Sequence, residues 1–555
     1  MAIFTRGEGS AACSGDVQQA FLLIGPYDPM GGEYTFLAPP LGVWRLCGVL
    51  RQAGITAEVF DPNCCSGPPE VELERVLRSR RWDVVGISTT GMTLRYDLAL
   101  AHRVARVVPD TLLVAGGMEA TFNPEKVLSL GPFHLVILGE GEQALLGLGR
   151  RLRGNKPLTG IPGTAFLEGQ QLRRLPGQAL NRQQLRDAIF AIPYEDMPYE
   201  RYWQRLERSY RVHKLPMKAD REARLAELRA VRLITLNYCP MNCTFCSSTN
   251  FLHAAQGGST AKIARLEADE CLALIARVVA AHAGVRTIIF QDDIFCFTKD
   301  RRILSLCAGI REAKASGRLP ENLQFIATNR IDAMDAIRLR AMRDAGFRVL
   351  GFGVESFAKS ILGEFNKAQI HPYIKPVLET ALGLGITPFL DMILTSPRCS
   401  LGDLAENIRQ VYRWVQAGCE VGMYPYVIPF SGAKMAEDES LKPYTEYVRQ
   451  TVAGTAVSWE QPAKILPIDP QVRAAILAIE EDFEAWLERL QVSVAHLPSR
   501  VRSLLWVVCA IPVLARAGQP MPDPHGAAQE LTQRLPGLTP PQQHALMRDL
   551  LAAVA

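Results

Sequence analysis

The sequence predicts an α/β protein: two successive series of alternating strands and helices, then a helical C-terminal region. Three observations carry this. Short apolar runs that end at glycine-rich or polar turns recur through the first 155 residues. A second series of strand-length runs, separated by helical segments, begins at Val231 and recurs about six times before residue 430. After Ser431 the strand signals stop, and Pro470 to Leu490 forms a long amphipathic helical pattern with Glu480, Glu481 and Asp482 expected to face water. The expected divisions are 1–155, a connector over 156–227, 228–430 and 431–555.

Composition narrows the class. The chain has 555 residues, 48% hydrophobic and 21% charged, enough apolar material for several cores. A net charge of +4 over that length gives no nucleic-acid surface. Thirteen cysteines at irregular spacing do not form a disulfide scaffold, and most sit in apolar segments, which suits a reducing cytoplasm. The N-terminus lacks the apolar core of a signal peptide. The longest apolar run, Leu504 to Ala515, contains Pro512, is too short to span a bilayer and reads as a core helix. A cytoplasmic protein without a membrane span is expected.

In the first series, Ala20 to Ile24 is a strand ending at Gly25-Pro26. Pro39-Pro40-Leu41-Gly42 opens a helix that runs to Leu50 and is closed by Ala53-Gly54. Val59-Phe60, Val84 to Ser88, Leu112 to Ala115 and Leu135 to Leu138 complete a parallel, doubly wound, Rossmann-like sheet. Such sheets bind ligands at the carboxyl ends of their strands. The candidates there are Leu41 and Gly42, then Ser88, Thr89 and Thr90 beside Gly91. Gly116-Gly117 follows, where absent side chains permit close approach, and then Gly139-Glu140-Gly141-Glu142. Each alone is explained by ordinary turn-making; together they point to a ligand. The connector shows turns at Pro157 and Pro162, a small hairpin, a wrapping aromatic stretch from Phe190 to Tyr202 and a charged helical segment from Met217 to Arg229.

The second series places strands at Arg232 to Leu236, Thr287 to Phe290, Leu323 to Ala327, Val349 to Gly353, Thr387 to Ile393 and Val421 to Ile428. Chemistry in such repeats gathers at strand carboxyl ends. Gln291, Asp292 and Asp293 follow the second strand, Asn329 and Arg330 the third, Glu355 and Ser356 the fourth, and Val427 the sixth. The planar fork of Arg330 suits a carboxylate. The loop after the first strand carries Cys239, Cys243 and Cys246 in C-x3-C-x2-C spacing, with Phe245 before the third. Three thiolates on one tight loop can hold three irons of a 4Fe–4S cube and leave the fourth open. A zinc knot or incidental thiols are the alternatives, but zinc wants a fourth Cys or His nearby, and the nearest downstream histidine, His253, has an unsuitable context.

The cysteine motif resembles that of the radical S-adenosylmethionine (SAM) superfamily, and the six units resemble its partial (β/α)6 TIM barrel. The resemblance implies that the open iron chelates SAM and that Gln291-Asp292-Asp293 meets its amino group. It further implies that Gly353-Val354-Glu355-Ser356 meets the ribose and that Val427 packs on adenine. The fifth strand end, Asp391 to Pro397, departs from the usual Gly-x-x-x-Glu pattern. Pro39-Pro40-Leu41-Gly42, Gly116 to Thr121 and Gly139 to Glu142 together resemble the cobalamin-binding domain of B12-dependent radical SAM enzymes. The histidine of the Asp-x-His-x-x-Gly motif is absent: the first loop reads Tyr27-Asp28-Pro29-Met30-Gly31-Gly32.

The implied cofactors are a 4Fe–4S cluster, SAM and cobalamin, with flavodoxin or ferredoxin as electron donor. The implied reaction is methylation of an unactivated carbon or phosphorus of a small-molecule or natural-product substrate, through methylcobalamin and a 5′-deoxyadenosyl radical. The alternative is a non-methylating ring contraction, cyclisation or hydroxylation on the same motifs. A corrinoid carrier would leave the cysteine triad without a task. A methylthiotransferase needs three more N-terminal cysteines, and Cys47, Cys64 and Cys65 are poorly spaced for that.

Overall fold

A computed structural model of the protein describes residues 19–30, 37–212, 226, 228–490, 497–535 and 548. Its first sheet contains β1 (Ala20–Ile24), β2 (Thr56–Phe60), β3 (Val84–Ser88), β4 (Leu112–Gly116), β5 (Leu135–Ile137), β6 (Thr164–Glu168) and β7 (Gln171–Leu175), in the order β2-β1-β3-β4-β5-β6-β7. β1 to β5 are parallel; β6 and β7 add on antiparallel. Strand β1 is apolar throughout because both its faces are covered. Leu22 and Ile24 join one core with Leu94 and Leu98, while Phe21 and Leu23 join another with Val43 and Cys47. The chain passes from β1 outward to β2 and then back to β3 on the other side, so the switch point of the sheet lies between β1 and β3. The β6–β7 hairpin belongs to this sheet, which therefore extends past residue 155 into the expected connector.

The rest of the connector packs as expected of a wrapping segment. Tyr194, Tyr199 and Tyr202 are buried, Tyr202 donates to Asp61 Oδ2 at 2.8 Å, and Arg277 donates to the carbonyls of Phe190 (2.5 Å) and Ile192 (2.8 Å). Most of the charged Met217 to Arg229 segment lies outside the described residues.

The second sheet contains β8 (Ala230–Leu233), β9 (Thr287–Phe290), β10 (Gln324–Asn329), β11 (Phe347–Glu355), β12 (Thr387–Ile393) and β13 (Glu420–Tyr424), all parallel and in sequence order, with β8 and β13 at the open edges. This is a six-unit partial barrel. Two strands are shorter than the apolar runs suggest. β8 stops at Leu233 because the Asp292 carboxylate takes the next amides, accepting from Thr235 N at 2.6 Å and Leu236 N at 3.0 Å. β13 stops at Tyr424 because Pro425 has no N–H for a ladder.

The C-terminal region is not purely helical. An antiparallel hairpin, β14 (Thr445–Thr451) and β15 (Ser458–Ile465), precedes helices Pro470–Leu490, Ser499–Arg516 and Pro524–Arg534. Its residues are mostly partly or fully exposed, so no apolar run announced it. It joins the barrel through a bridge from Ile465 to Val427. Glu480 does not face water as expected: it accepts from Tyr426 Oη at 2.8 Å and pairs with Lys464 at 3.2 Å. Helix Ser499–Arg516 lies along the free edge of β13, where Ser503 Oγ donates to Val421 O at 3.0 Å. Among the described residues no helix is long and apolar enough to cross a membrane.

Candidate functional site

A cleft of about 270 Å³ opens at the carboxyl ends of β1, β3 and β4, at the switch point of the first sheet. Leu41, Gly42, Ser88, Gly116, Gly117, Glu140 and Gly141 line it, so sequence-predicted residues from four separate turns converge there. Its glycines are of two kinds. At Gly117, φ is +93° and a Cβ would stand 2.5 Å from Thr89 O, so the turn itself requires glycine. At Gly42 a Cβ would meet nothing within 4 Å, and at Gly116 only Ile137 at 4.0 Å. Side chains at these two positions would project into the cleft. The missing atoms leave room for a flat, bulky ligand, which fits a corrin ring.

Four predicted contacts do not line the cleft. Thr89 is fully buried and ties β3 to the following turn, donating to Gly116 O at 2.9 Å and accepting from Ala120 N at 3.2 Å. Thr90 shares its hydroxyl with Thr93 at 2.9 Å, and Thr93 donates to Asp97, whose carboxyl burial pushes up to about 8. Gly91 lies near Glu119 and Gln461 of the C-terminal hairpin. Glu142 is turned to Arg45 at 2.5 Å. Arg45 also lies 3.8 Å from Glu140, which accepts from Leu180 N at 2.7 Å and is raised to about 7 by burial despite that arginine. Arg45 thus clamps the 139–142 turn, and sequence reasoning missed it. No histidine lines the cleft among the described residues, and none occurs in the first loop. A cob(II)alamin form of the protein is therefore expected to show no nitrogen superhyperfine splitting from a protein ligand in electron paramagnetic resonance.

The cysteine loop follows β8 and is fixed at both ends. Thr249 Oγ1 rests against the carbonyl of Cys239 at 3.0 Å, Ser248 N donates to Cys246 Sγ at 3.4 Å, and Thr244 N donates to Phe365 O at 3.3 Å. Phe245 packs on Phe365, with ring centroids 4.9 Å apart. Burial pushes the Cys239 thiol up to about 12 and raises Cys243, against the pull of Lys367. Without iron these groups are neutral thiols, so loading a cluster must release protons. Among the described residues no three His, Cys, Asp or Glu side chains converge at the range that one metal ion demands. Three ligands of an iron–sulfur cube bind three different irons and stand farther apart, so this loop still fits a cube.

The strand ends divide into groups that face the barrel mouth and groups that hold the fold. Asp292 is buried and fully used, accepting also from Thr235 Oγ1 at 2.6 Å; it is a structural carboxylate, pushed up to about 6 by burial. Its neighbour Asp293 keeps an accessible side chain beside Cys239 and Ser248, and burial of the carboxyl in the loop raises its pKa against the Ser248 hydrogen bond. Gln291 is half-buried there. Ser356 is buried in a network with Asn407 Oδ1 (2.9 Å) and Ala358 N (3.0 Å), which leaves it no path to a ribose. Val427 is buried, and its carbonyl accepts from Ile465 N at 2.9 Å. Asn329 is buried with an unpaired Oδ1. Arg330 donates from Nε and Nη2 to Asp332, each at 2.9 Å, which leaves Nη1 for another group.

Glu355 is the strained residue of the set. Its φ is +61°, a left-handed conformation that non-glycine residues rarely hold outside sites where the surroundings enforce it. Lys367 enforces it, donating to Glu355 Oε1 at 2.7 Å and to Gly353 O at 3.0 Å. The ammonium also stands 5.7 Å above the Phe245 ring and beside Cys243. Sequence reasoning missed Lys367, which lies in a loop with no motif around it.

The two domains meet at these loops. Phe251, on helix Ser248–Ala255 just after the cysteines, lines the cleft of the first sheet and packs edge-on against Phe122 at 6.2 Å. A Cβ at Gly139 would come within 2.5 Å of Ala255. Asn250 Nδ2 donates to Gly432 O at 2.6 Å, and Asn123 Nδ2 donates to Ser431 Oγ at 2.8 Å. One short helix thus follows the cysteine loop directly and lines the cleft through Phe251.

A switch-point cleft that faces the cysteine loop of a partial barrel defines a two-cofactor α/β enzyme. Family models agree on both halves: residues 27–148 match the B12 binding domain, and residues 233–411 match the radical SAM superfamily. The chain belongs to the cobalamin-dependent radical SAM enzymes, and its cofactors are cobalamin, a 4Fe–4S cluster and SAM. It is 24% identical over 408 residues to the uncharacterized methyltransferase PH0819 of Pyrococcus horikoshii, covering 72% of this chain and 78% of that one. It is 26% identical over 353 residues to the anaerobic magnesium-protoporphyrin IX monomethyl ester cyclase of Cereibacter sphaeroides, covering 61% of this chain but only 51% of the cyclase. Its fold is similar to that of the radical SAM methyltransferase TsrM of Kitasatospora setae (TM-score 0.62, 13% identity, 97% and 99% of the two chains). It is also similar to that of the cobalamin-dependent radical enzyme OxsB (TM-score 0.64, 14% identity, 97% and 80%).

Proposed function

We propose that this enzyme is a methyltransferase acting on an unactivated carbon, or a phosphorus, of a small-molecule or natural-product substrate, with electrons supplied by a flavodoxin or ferredoxin. The observation that carries the reading is helix Ser248–Ala255, which joins the cysteine loop to the wall of the cobalamin cleft through Phe251. When bound, the cofactors supply a SAM-derived radical and a transferable methyl group. The chain's part is placement and exclusion of water. Cys239, Cys243 and Cys246 hold the cluster. Gln291, Asp293, Arg330 Nη1 and the free Oε2 of Glu355 surround the place of SAM, and Gly42, Gly116 and Gly117 let the corrin ring approach the backbone.

A product heavier than the substrate by one methylene under anaerobic turnover supports methyl transfer. A turned-over product without that gain would support the second reading, a non-methylating ring contraction, cyclisation or hydroxylation, of which the 26% identity to the cyclase favours cyclisation. Glu355→Gln is expected to weaken SAM binding roughly tenfold to hundredfold, since a charge-assisted contact is worth about 1.5–3 kcal/mol. Cobalamin content should stay at the wild-type level; equilibrium binding of SAM and the visible spectrum of the cobalamin check both.

A further inference from the structure

Helix Ser499–Arg516 is buried at every residue from Val501 to Leu514 except Arg502. Three bonds pin it to the edge of the barrel: Ser499 Oγ to Glu420 Oε2 at 3.2 Å, Arg500 Nε to Cys419 O at 3.3 Å, and Ser503 Oγ to Val421 O at 3.0 Å. Arg502 is thereby set beside Tyr424 at the end of β13. Tyr424 is 52% exposed within the barrel mouth. It shares a face of its strand with Gly422, where a Cβ would stand 3.6 Å from Asp391 Oδ1. Asp391 and Glu355 are the other charged groups that face Tyr424.

The cations at the strand ends of the barrel are answered by acids, Arg330 by Asp332 and Lys367 by Glu355, as are Arg45 by Glu142 in the first domain and Lys464 by Glu480 on the hairpin. Arg502 has no acidic partner among the described residues, and its Nε is sealed from solvent without a hydrogen bond. Burial lowers its pKa, and only Tyr424 acts against that. The guanidinium is thus partly buried with no acid to answer it, on a helix whose residues from Ser503 to Leu514 are all buried, where a charge needs a partner. Asp391 is raised to about 7 by burial and by Glu355, against Lys367, so its negative charge is reduced near neutral pH.

We propose that Arg502 anchors an oxyanion of the substrate, a carboxylate or a phosphate, in the mouth of the barrel, with Tyr424 alongside. This deepens the reading of the barrel mouth as the substrate-bearing space, and its test reads binding, so it stands or falls separately from methyl transfer. The full-length protein, loaded with cluster, cobalamin and SAM, is titrated calorimetrically with benzoate, phenyl phosphate and neutral benzyl alcohol. At least one anion should bind saturably, and benzyl alcohol roughly tenfold more weakly or not at all. The preferred anion identifies the oxyanion class. Arg502→Met should lose roughly tenfold or more of the anion affinity, and Arg502→Lys, a point charge without the planar fork, should fall between. The Met variant should melt no lower than wild type, because it replaces an unpaired charge with apolar volume. Should Arg502→Met fail to fold, Arg502→Lys still decides, through its weaker anion binding. Failure of both anions to bind the wild type, equal binding by the variants, or a loss of SAM affinity in place of anion affinity would each overturn the proposal.

Discussion

Replacing Cys239, Cys243 and Cys246 together by alanine is expected to give a folded protein with no cluster iron, no broad visible absorbance and no SAM cleavage. Apart from Ser248 N to Cys246 Sγ, the loop is anchored by groups other than the sulfurs: Thr249 against Cys239 O, Thr244 N to Phe365 O, and Asn250 to Gly432 O. Loss of the thiols therefore removes ligands while leaving these three supports of the loop. Iron content after anaerobic reconstitution and release of 5′-deoxyadenosine are the two measurements. Iron retained at the wild-type level in the triple variant would place the cluster elsewhere.

The second large effect is expected in the first domain. Gly42→Phe and Gly116→Val should abolish cobalamin retention while the protein stays folded. Both positions have ordinary backbone geometry, and a Cβ there meets no protein atom closer than 4.0 Å, so the new side chains enter the cleft and not the core. At Gly42, inside helix Leu41–Gln52, any side chain also removes the entropic penalty of a helical glycine, up to about 1 kcal/mol. Gly117→Ala is the contrast: its Cβ would collide with Thr89 O, so it should lower stability as well as cobalamin content. Cobalamin per protein after reconstitution, read beside the melting temperature, separates the two kinds of glycine. Full cobalamin loading of Gly42→Phe would remove the ring from this cleft.

The parts of the site legible in the sequence are those carried by local spacing. Three cysteines in one loop of eight residues, and glycine turns after apolar strands, depend on neighbours along the chain. The parts that misled were single polar residues at strand ends. Asp292, Ser356, Thr89 and Glu142 stand beside groups that face the site, yet each is turned inward to a partner far along the chain: Thr235, Asn407, Gly116 and Arg45. One residue of shift along a strand reverses the face to which a side chain points, and sequence alone does not fix that register. The β14–β15 hairpin escaped for a related reason, because it has no buried face of its own to impose a two-residue period.

By itself the sequence determined the α/β class, the positions of the parallel strands within a few residues, and the cysteine loop proposed to hold the cluster. Both faces of a covered parallel sheet must be apolar, and a cysteine triad has few other uses. Only the tertiary structure decided which acids hold the fold and which stay free. It set Lys367 against Glu355 and placed Phe251 in the wall of the cleft. Among the described residues, it also left Arg502 without a counter-charge at the barrel mouth. These are matters of pairing between distant segments, where burial makes an unanswered charge costly, and that cost appears only when the chain is folded.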